Sequence, residues 1–164
     1  MFVRQTTTIL LHLYVNLSVY QHAHSFQGQV TDVNSTDLRC YTSQTDATAS
    51  TLTVQAGKEL SFQVGNGLTI YHQGVVNVYM AQVPSGSEAT SFAGDGEVWF
   101  KVFEIPAVTD GGSSISFPAQ DVPSVNFTLP AALPTGQYLV RMEAIALHVA
   151  STYGGAQFYV SSDD

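Results

Sequence analysis

Apolar and polar residues alternate with a period of two along most of this chain. Leu52 and Val54, and then Leu60, Phe62 and Val64, alternate with polar neighbours on either side of Gln55-Ala56-Gly57-Lys58. That pattern predicts two strands joined in a hairpin-like unit. Val76, Val78 and Met80 alternate with Asn77 and Tyr79, predicting a further strand. Val98-Trp99-Phe100-Lys101-Val102-Phe103 is apolar nearly throughout, as expected of a core strand. Ile115 and Phe117, and then Val125, Phe127 and Leu129, predict two more strands set apart by Pro118 and Pro123. After the turn 130–136, Tyr138 to Met142 and Ala156 to Val160 complete the set. Short strands, Gly/Pro turns and no long amphipathic helix predict an all-β antiparallel sandwich with long loops. The loops from Gly65 to Gly74, Pro84 to Gly96 and Ile105 to Gly112 are where function is expected, the last two covering one end or face of the sandwich.

The beginning of the chain supports two readings. Residues 1–23 carry one early arginine and an apolar run from Ile9 to Tyr20, which sketches a signal peptide cleaved after Ala23. Alternatively, Leu11, Leu13 and Val15 alternate with His12 and Tyr14 as a first strand would. The apolar run, about 12 residues, is shorter than the roughly 20 a membrane span needs. Residues 24–164 are expected to form one domain, since no repeat or long linker divides them.

Composition narrows the partners. Hydrophobic residues make up 45% of the chain and charged ones 11%, enough apolar surface for a sizeable core. Five Lys+Arg against thirteen Asp+Glu leave a formal net charge of -8. Such a surface repels phosphate backbones, so no nucleic-acid partner is expected, while a neutral sugar polymer is not penalised. The sparse charge suits an extracellular protein. Sequons at Asn16, Asn34 and Asn126 permit glycosylation if the chain is secreted. A lone cysteine, Cys40, has to be partnered, reactive or buried.

Four residues stand out as candidate chemistry. His72, in Ile70-Tyr71-His72-Gln73-Gly74, can project from a loop edge toward a metal, or be a surface histidine. His148 follows the apolar strand end Ile145-Ala146-Leu147 and, taken alone, reads as a core histidine. Gln157 and Tyr159 are two apart, so both lie on one strand face, opposite Ala156, Phe158 and Val160. They are either an exposed polar pair or an amide and a phenol beside His148. Neutral imidazole with a weak oxygen neighbour suits copper. Asp95 and Glu97, two apart after Gly94, read as a solvated turn rather than a hydrolytic pair. No Gly-x-Ser-x-Gly, Cys-x-x-Cys, His-Glu-x-x-His or Gly-Lys-Ser motif is present.

Several blocks, in order and at compatible spacing, resemble the fungal lytic polysaccharide monooxygenases of auxiliary activity family 9. They are Val30-Thr31-Asp32-Val33 through Asp37-Leu38-Arg39-Cys40, Val54-Gln55-Ala56-Gly57, and His72-Gln73-Gly74 with Val78-Tyr79-Met80-Ala81. Val98-Trp99-Phe100-Lys101, Phe127-Thr128-Leu129-Pro130 and Gly136-Gln137-Tyr138-Leu139-Val140-Arg141 follow. The most specific block runs from Ile145-Ala146-Leu147-His148 to Gly154-Gly155-Ala156-Gln157-Phe158-Tyr159. The resemblance implies an immunoglobulin/fibronectin-III-like β-sandwich, secreted and monomeric, that cuts cellulose or a related β-glucan. It implies one copper ion, an external electron donor, and O2 or H2O2 as co-substrate. By motif position His72 and Tyr159 are implied metal ligands, and His148 and Gln157 the pair that hydrogen-bonds oxygen species beside them.

The family also places a histidine at the mature N-terminus, whose amine and imidazole complete the copper brace. If the first strand includes Leu13 to Asn16, Gln5, Thr6 and Thr7 stand where that histidine should be. Cleavage after Ala23 would make His24 the terminus, and a start encoded upstream would supply another. Val75 replaces the proline usual after His-x-Gly, and Ser162 stands near the cysteine that the family pairs with the one at Cys40. The alternative to a copper oxidoreductase is a non-catalytic, polysaccharide-binding sandwich that lacks the brace.

Overall fold

The structure is a computed structural model that describes residues 8–13, 28–40, 50–64 and 67–162. The strands are β1 (Thr8–Leu13), β2 (Ser50–Gln55), β3 (Glu59–Gln63), β4 (Gly74–Gln82) and β5 (Trp99–Ile105). They continue with β6 (Val108–Thr109), β7 (Ile115–Ser116), β8 (Ser124–Thr128), β9 (Gln137–Ala146) and β10 (Gln157–Ser162). Among the described residues, the helical pieces are a single turn, α1 (Asp37–Cys40), and a 3-10 turn at Ala89–Ser91. His24, the sequon at Asn16, and the residues from Tyr14 to Ala23 of both N-terminal readings lie outside the described residues. So do Gly65 and the side chain of Cys40.

β9 organises the larger sheet, whose order is β2-β1-β9-β4-β5 with β10 also on β9. Along one edge it pairs antiparallel with β4, from Gly74↔Ala146 to Gln82↔Tyr138. Two strands share its other edge. β1 runs parallel to Gln137–Val140, and β10 runs antiparallel to Arg141–Ala146. The backbone groups on both edges of this ten-residue strand therefore find partners inside the sheet. The β1–β9 pair is the one parallel pairing among otherwise antiparallel partners of the described strands.

The predicted alternation is real, but one predicted pairing is not. β2 and β3 do not form a hairpin: β2 pairs with β1, and β3 pairs with β8 in a separate two-stranded sheet. Their connection turns tightly, with Lys58 N–H donating to the Gln55 carbonyl at 3.2 Å and Gly57 at φ 81°. It then carries the chain across the sandwich. The reason is burial: Phe62 reaches the core only from the opposite layer, where its ring stacks on Phe127 at 5.6 Å. Facing them from the large sheet are the buried Val76, Val78 and Met80 of β4, with Val140, Met142 and Ala144 of β9. Each such large side chain contributes about 1.5–3 kcal/mol on burial.

β5 is not a core strand. It ends the large sheet, and Phe100 and Lys101 are exposed. Its apolar run instead supplies Trp99 and Val102 to two clusters on opposite faces. The outer face of the large sheet is covered by the 84–96 loop, through Ala89 and Phe92 against Ala81 and Leu139. The 105–112 segment is not an open loop over the sandwich: it contains β6, which pairs with β7 in a ribbon that leaves Val108 and Ile115 exposed.

On that outer face the Arg141 guanidinium lies between two rings, 4.7 Å from Tyr79 and 4.5 Å from Trp99. Its Nη1 donates to the Leu38 carbonyl at 2.7 Å, tying the segment 28–40 to the sheet. Arg141→Met keeps most of the stem but loses both cation–π contacts and a charged hydrogen bond. It is expected to lower stability by about 2 kcal/mol, measured by urea unfolding.

At the ribbon tip, Asp110 Oδ1 accepts the backbone N–H groups of Gly112, Ser113 and Ser114 at 3.2, 2.9 and 2.9 Å. These bonds lower the carboxyl pKa to about 2. A depressed pKa means that the turn is favoured above the ordinary carboxylate value near 3.9 and loses that support as pH falls through about 2. The amide resonances of residues 112–114 should therefore titrate with a midpoint near 2; a midpoint near 4 would contradict the turn.

Candidate metal centre

The site begins with a close approach of two strands. At Gly74, the first residue of β4, an added Cβ would lie 1.9 Å from the Ile145 carbonyl oxygen, so only glycine lets the strands meet there. One step beyond the ladder, Leu147 N–H donates to the Gln73 carbonyl at 2.8 Å. His72 and His148 emerge just past this bond, from different loops, with their rings 3.8 Å apart and 8° from parallel. The His148 loop is packed as closely: a Cβ on Gly155 would meet the Val149 carbonyl oxygen at 2.2 Å.

β10 adds the other two candidates. The register runs Gly74↔Ala146↔Gln157 and Val76↔Ala144↔Tyr159, so cross-strand geometry puts Gln157 and Tyr159 on the core face of the sheet. They are half-buried rather than an exposed polar pair, and Tyr159 packs against the core. The Tyr159 hydroxyl donates to Gln157 Oε1 at 3.0 Å, and its ring lies 6.0 Å from that of His72. Val160, pointing the other way, is buried on the opposite face.

His148 departs from its single-residue reading. It is exposed, not a core histidine, because it follows the last β9 residue in the turn over 148–151. Asp95 and Glu97 are exposed in a loop. Tyr71, which meets the His72 ring edge-on at 5.2 Å, has no signal in the sequence beyond its adjacency to His72. The close approach of Gly155 to the Val149 carbonyl likewise shows only in three dimensions.

Electrostatically the site favours neutral donors. Burial, and then the neighbouring His148, lowers the His72 pKa, which leaves an imidazole lone pair available at neutral pH. Burial raises the Tyr159 pKa, keeping the phenol protonated. Neutral nitrogen with a weak phenolic oxygen is a donor set suited to copper. Imidazoles 3.8 Å apart and nearly parallel cannot both aim in-plane lone pairs at one ion, so one of His72 and His148 fits as a ligand and the other as its neighbour. Among the described residues, no group of three His, Cys, Asp or Glu side chains could hold a metal. The donors present would fit part of a copper site.

An all-β sandwich carrying a histidine, tyrosine and glutamine cluster at one end of its larger sheet defines a class of scaffold with a neutral, metal-compatible rim. The family model for Auxiliary Activity family 9 (formerly GH61) matches residues 6–162, and the chain belongs to that family. It is 44% identical over 138 residues to AA9 family lytic polysaccharide monooxygenase H of Malbranchea cinnamomea, covering 84% of this chain and 59% of the relative. It is 48% identical over 137 residues to lytic polysaccharide monooxygenase C of Emericella nidulans, covering 82% and 57% respectively. The chain thus spans less than two thirds of the length of these relatives. Among solved structures, CvAA9A superposes with a TM-score of 0.64 at 25% identity, covering 94% of this chain and 75% of that one. A cellulose-active polysaccharide monooxygenase from M. thermophila has a TM-score of 0.63 at 24% identity, over 84% of this chain and 61% of that one, and shares the fold.

Proposed function

We propose that this chain is a secreted, monomeric lytic-polysaccharide-monooxygenase-like copper oxidoreductase that oxidatively cleaves glycosidic bonds in cellulose or a related β-glucan. The observation that carries this reading is the convergence of His72, His148, Gln157 and Tyr159, from two loops and a strand, at one end of the larger sheet. In a member of this family, such a set is the expected surround of one copper ion.

His72 and Tyr159 would hold the copper, and the remaining donors, the amine and imidazole of an N-terminal histidine, would have to come from outside the described residues. Copper held there would supply one-electron redox chemistry, with an external electron donor and O2 or H2O2 as co-substrate, for oxidation at C1 or C4 of a sugar unit. The protein's part is positioning. Gln157 Oε1 is occupied by the Tyr159 hydroxyl, which fixes the amide and leaves its NH2 as a donor. The exposed His148 imidazole would hydrogen-bond an oxygen species at the site rim. A chain with 11% charged residues and a net charge of -8 presents little that would repel a neutral polysaccharide.

The test combines copper titration with product analysis. Submicromolar copper binding, a terminal histidine in the mature protein by mass spectrometry, and copper-dependent release of oxidised oligosaccharides are expected. A non-histidine terminus with weak copper binding would instead favour a polysaccharide-binding role without catalysis. Tyr159→Phe removes the phenolic oxygen and its bond to Gln157. It should cost about 1 kcal/mol of stability and shift copper affinity by roughly tenfold, with altered Cu(II) EPR parameters.

A further inference from the structure

Behind His72 and Tyr159 lies a cavity that the copper reading does not use. Val64 and Ile70 line it from the smaller-sheet side, and Met142, Ala144 and Ala146 line it from β9. These five residues are buried, and the wall is aliphatic or thioether except where His72 and Tyr159 meet it. The centre of a water-sized molecule has about 20 Å³ to move in, just above what a single small guest needs.

We propose that this cavity is a binding site for a small apolar gas, and that its guest is dioxygen held next to the candidate copper ligands. Size admits one diatomic molecule; chemistry selects which. A buried water needs two to four polar partners, and hydrogen peroxide, with two donors and two acceptors, needs at least as many. Among the described residues the lining side chains offer at most an imidazole and a phenol, and that phenol's proton is already given to Gln157. Either polar guest would leave hydrogen bonds unmade, whereas dioxygen loses none on leaving water. The cavity therefore discriminates between the two co-substrates of the proposed reaction in favour of O2, and it adjoins the site from the core side, leaving the solvent side for a sugar chain. This role rests on the copper reading, but the affinity of the cavity for an apolar gas does not.

Xenon is the probe, used on copper-free full-length protein. Crystals pressurised with xenon should show one anomalous peak among Val64, Ile70, Met142 and Ala144, and xenon NMR in solution should show saturable binding. Ala144→Val, which fills the space, should remove the peak, and Val64→Ile should weaken it if Ala144→Val does not fold. In the copper-loaded enzyme Ala144→Val should raise the KM for O2 by about threefold or more. No xenon binding by either method, or a peak that persists in the filled variant, overturns the proposal. Xenon binding in a protein that never releases oxidised sugar would leave the gas site standing, overturn its role as an oxygen store, and refute the copper reading.

Discussion

His72→Ala is expected to lower copper affinity at least about 100-fold and to abolish copper-dependent release of oxidised oligosaccharides. The loss of a residue that merely supports a metal ligand costs about 10–100-fold, and His72 is proposed as a ligand itself. No other described side chain replaces it: His148 is stacked on it at 3.8 Å with its ring nearly parallel, so the lone pairs of the two rings do not converge. Tyr159 alone is a weak, neutral oxygen donor. The fold should tolerate the change, because His72 is half-buried in a loop ahead of β4 rather than in the sandwich core. The copper-free variant should melt within a few degrees of the parent, and calorimetric titration should show the binding deficit directly. Copper affinity within about threefold of the parent would remove His72 from the ligand set.

Gly74→Ala is expected to damage the same site through the backbone. The added Cβ would lie 1.9 Å from the Ile145 carbonyl oxygen, 2.9 Å from its carbon and 3.1 Å from the Ala146 Cα. All three atoms are main chain, so no side chain can rotate out of the way. β4 and β9 would have to part at the end where the Leu147–Gln73 hydrogen bond aligns the two histidine loops. A cost of about 3 kcal/mol or more follows from forced overpacking, and for a domain of this size a melting temperature lower by roughly 6–12 °C. Copper affinity should fall as well, although no ligand has changed. Gly28→Ala is the control: no described residue lies within 4 Å of a Cβ there, and its melting temperature should be unchanged. If Gly74→Ala melts with the parent, the close strand approach is not what sets the site.

The alternation of apolar residues, read alone, determined that this protein is all-β. Val76, Val78 and Met80, or Val125 and Phe127, face the core because side chains on a strand alternate, a local property that needs no knowledge of partners. The family blocks marked the candidate site residues, because His72-Gln73-Gly74 and Ala156-Gln157-Phe158-Tyr159 keep their spacing as strings. Tertiary structure decided the pairings. Period two says which face a residue takes but not which strand lies beside it, and so β2 and β3, adjacent in sequence, went to different sheets. Closing a long loop costs little more than closing a short one, so nothing local favoured the hairpin enough to hold it. Burial likewise depends on what covers a strand: β5 became an edge despite its apolar run, and His148 fell just past the end of β9 into solvent. The contact of the His72 and His148 rings joins residues 72 and 148, and it exists only because Gly74 lets β4 and β9 meet at Ile145.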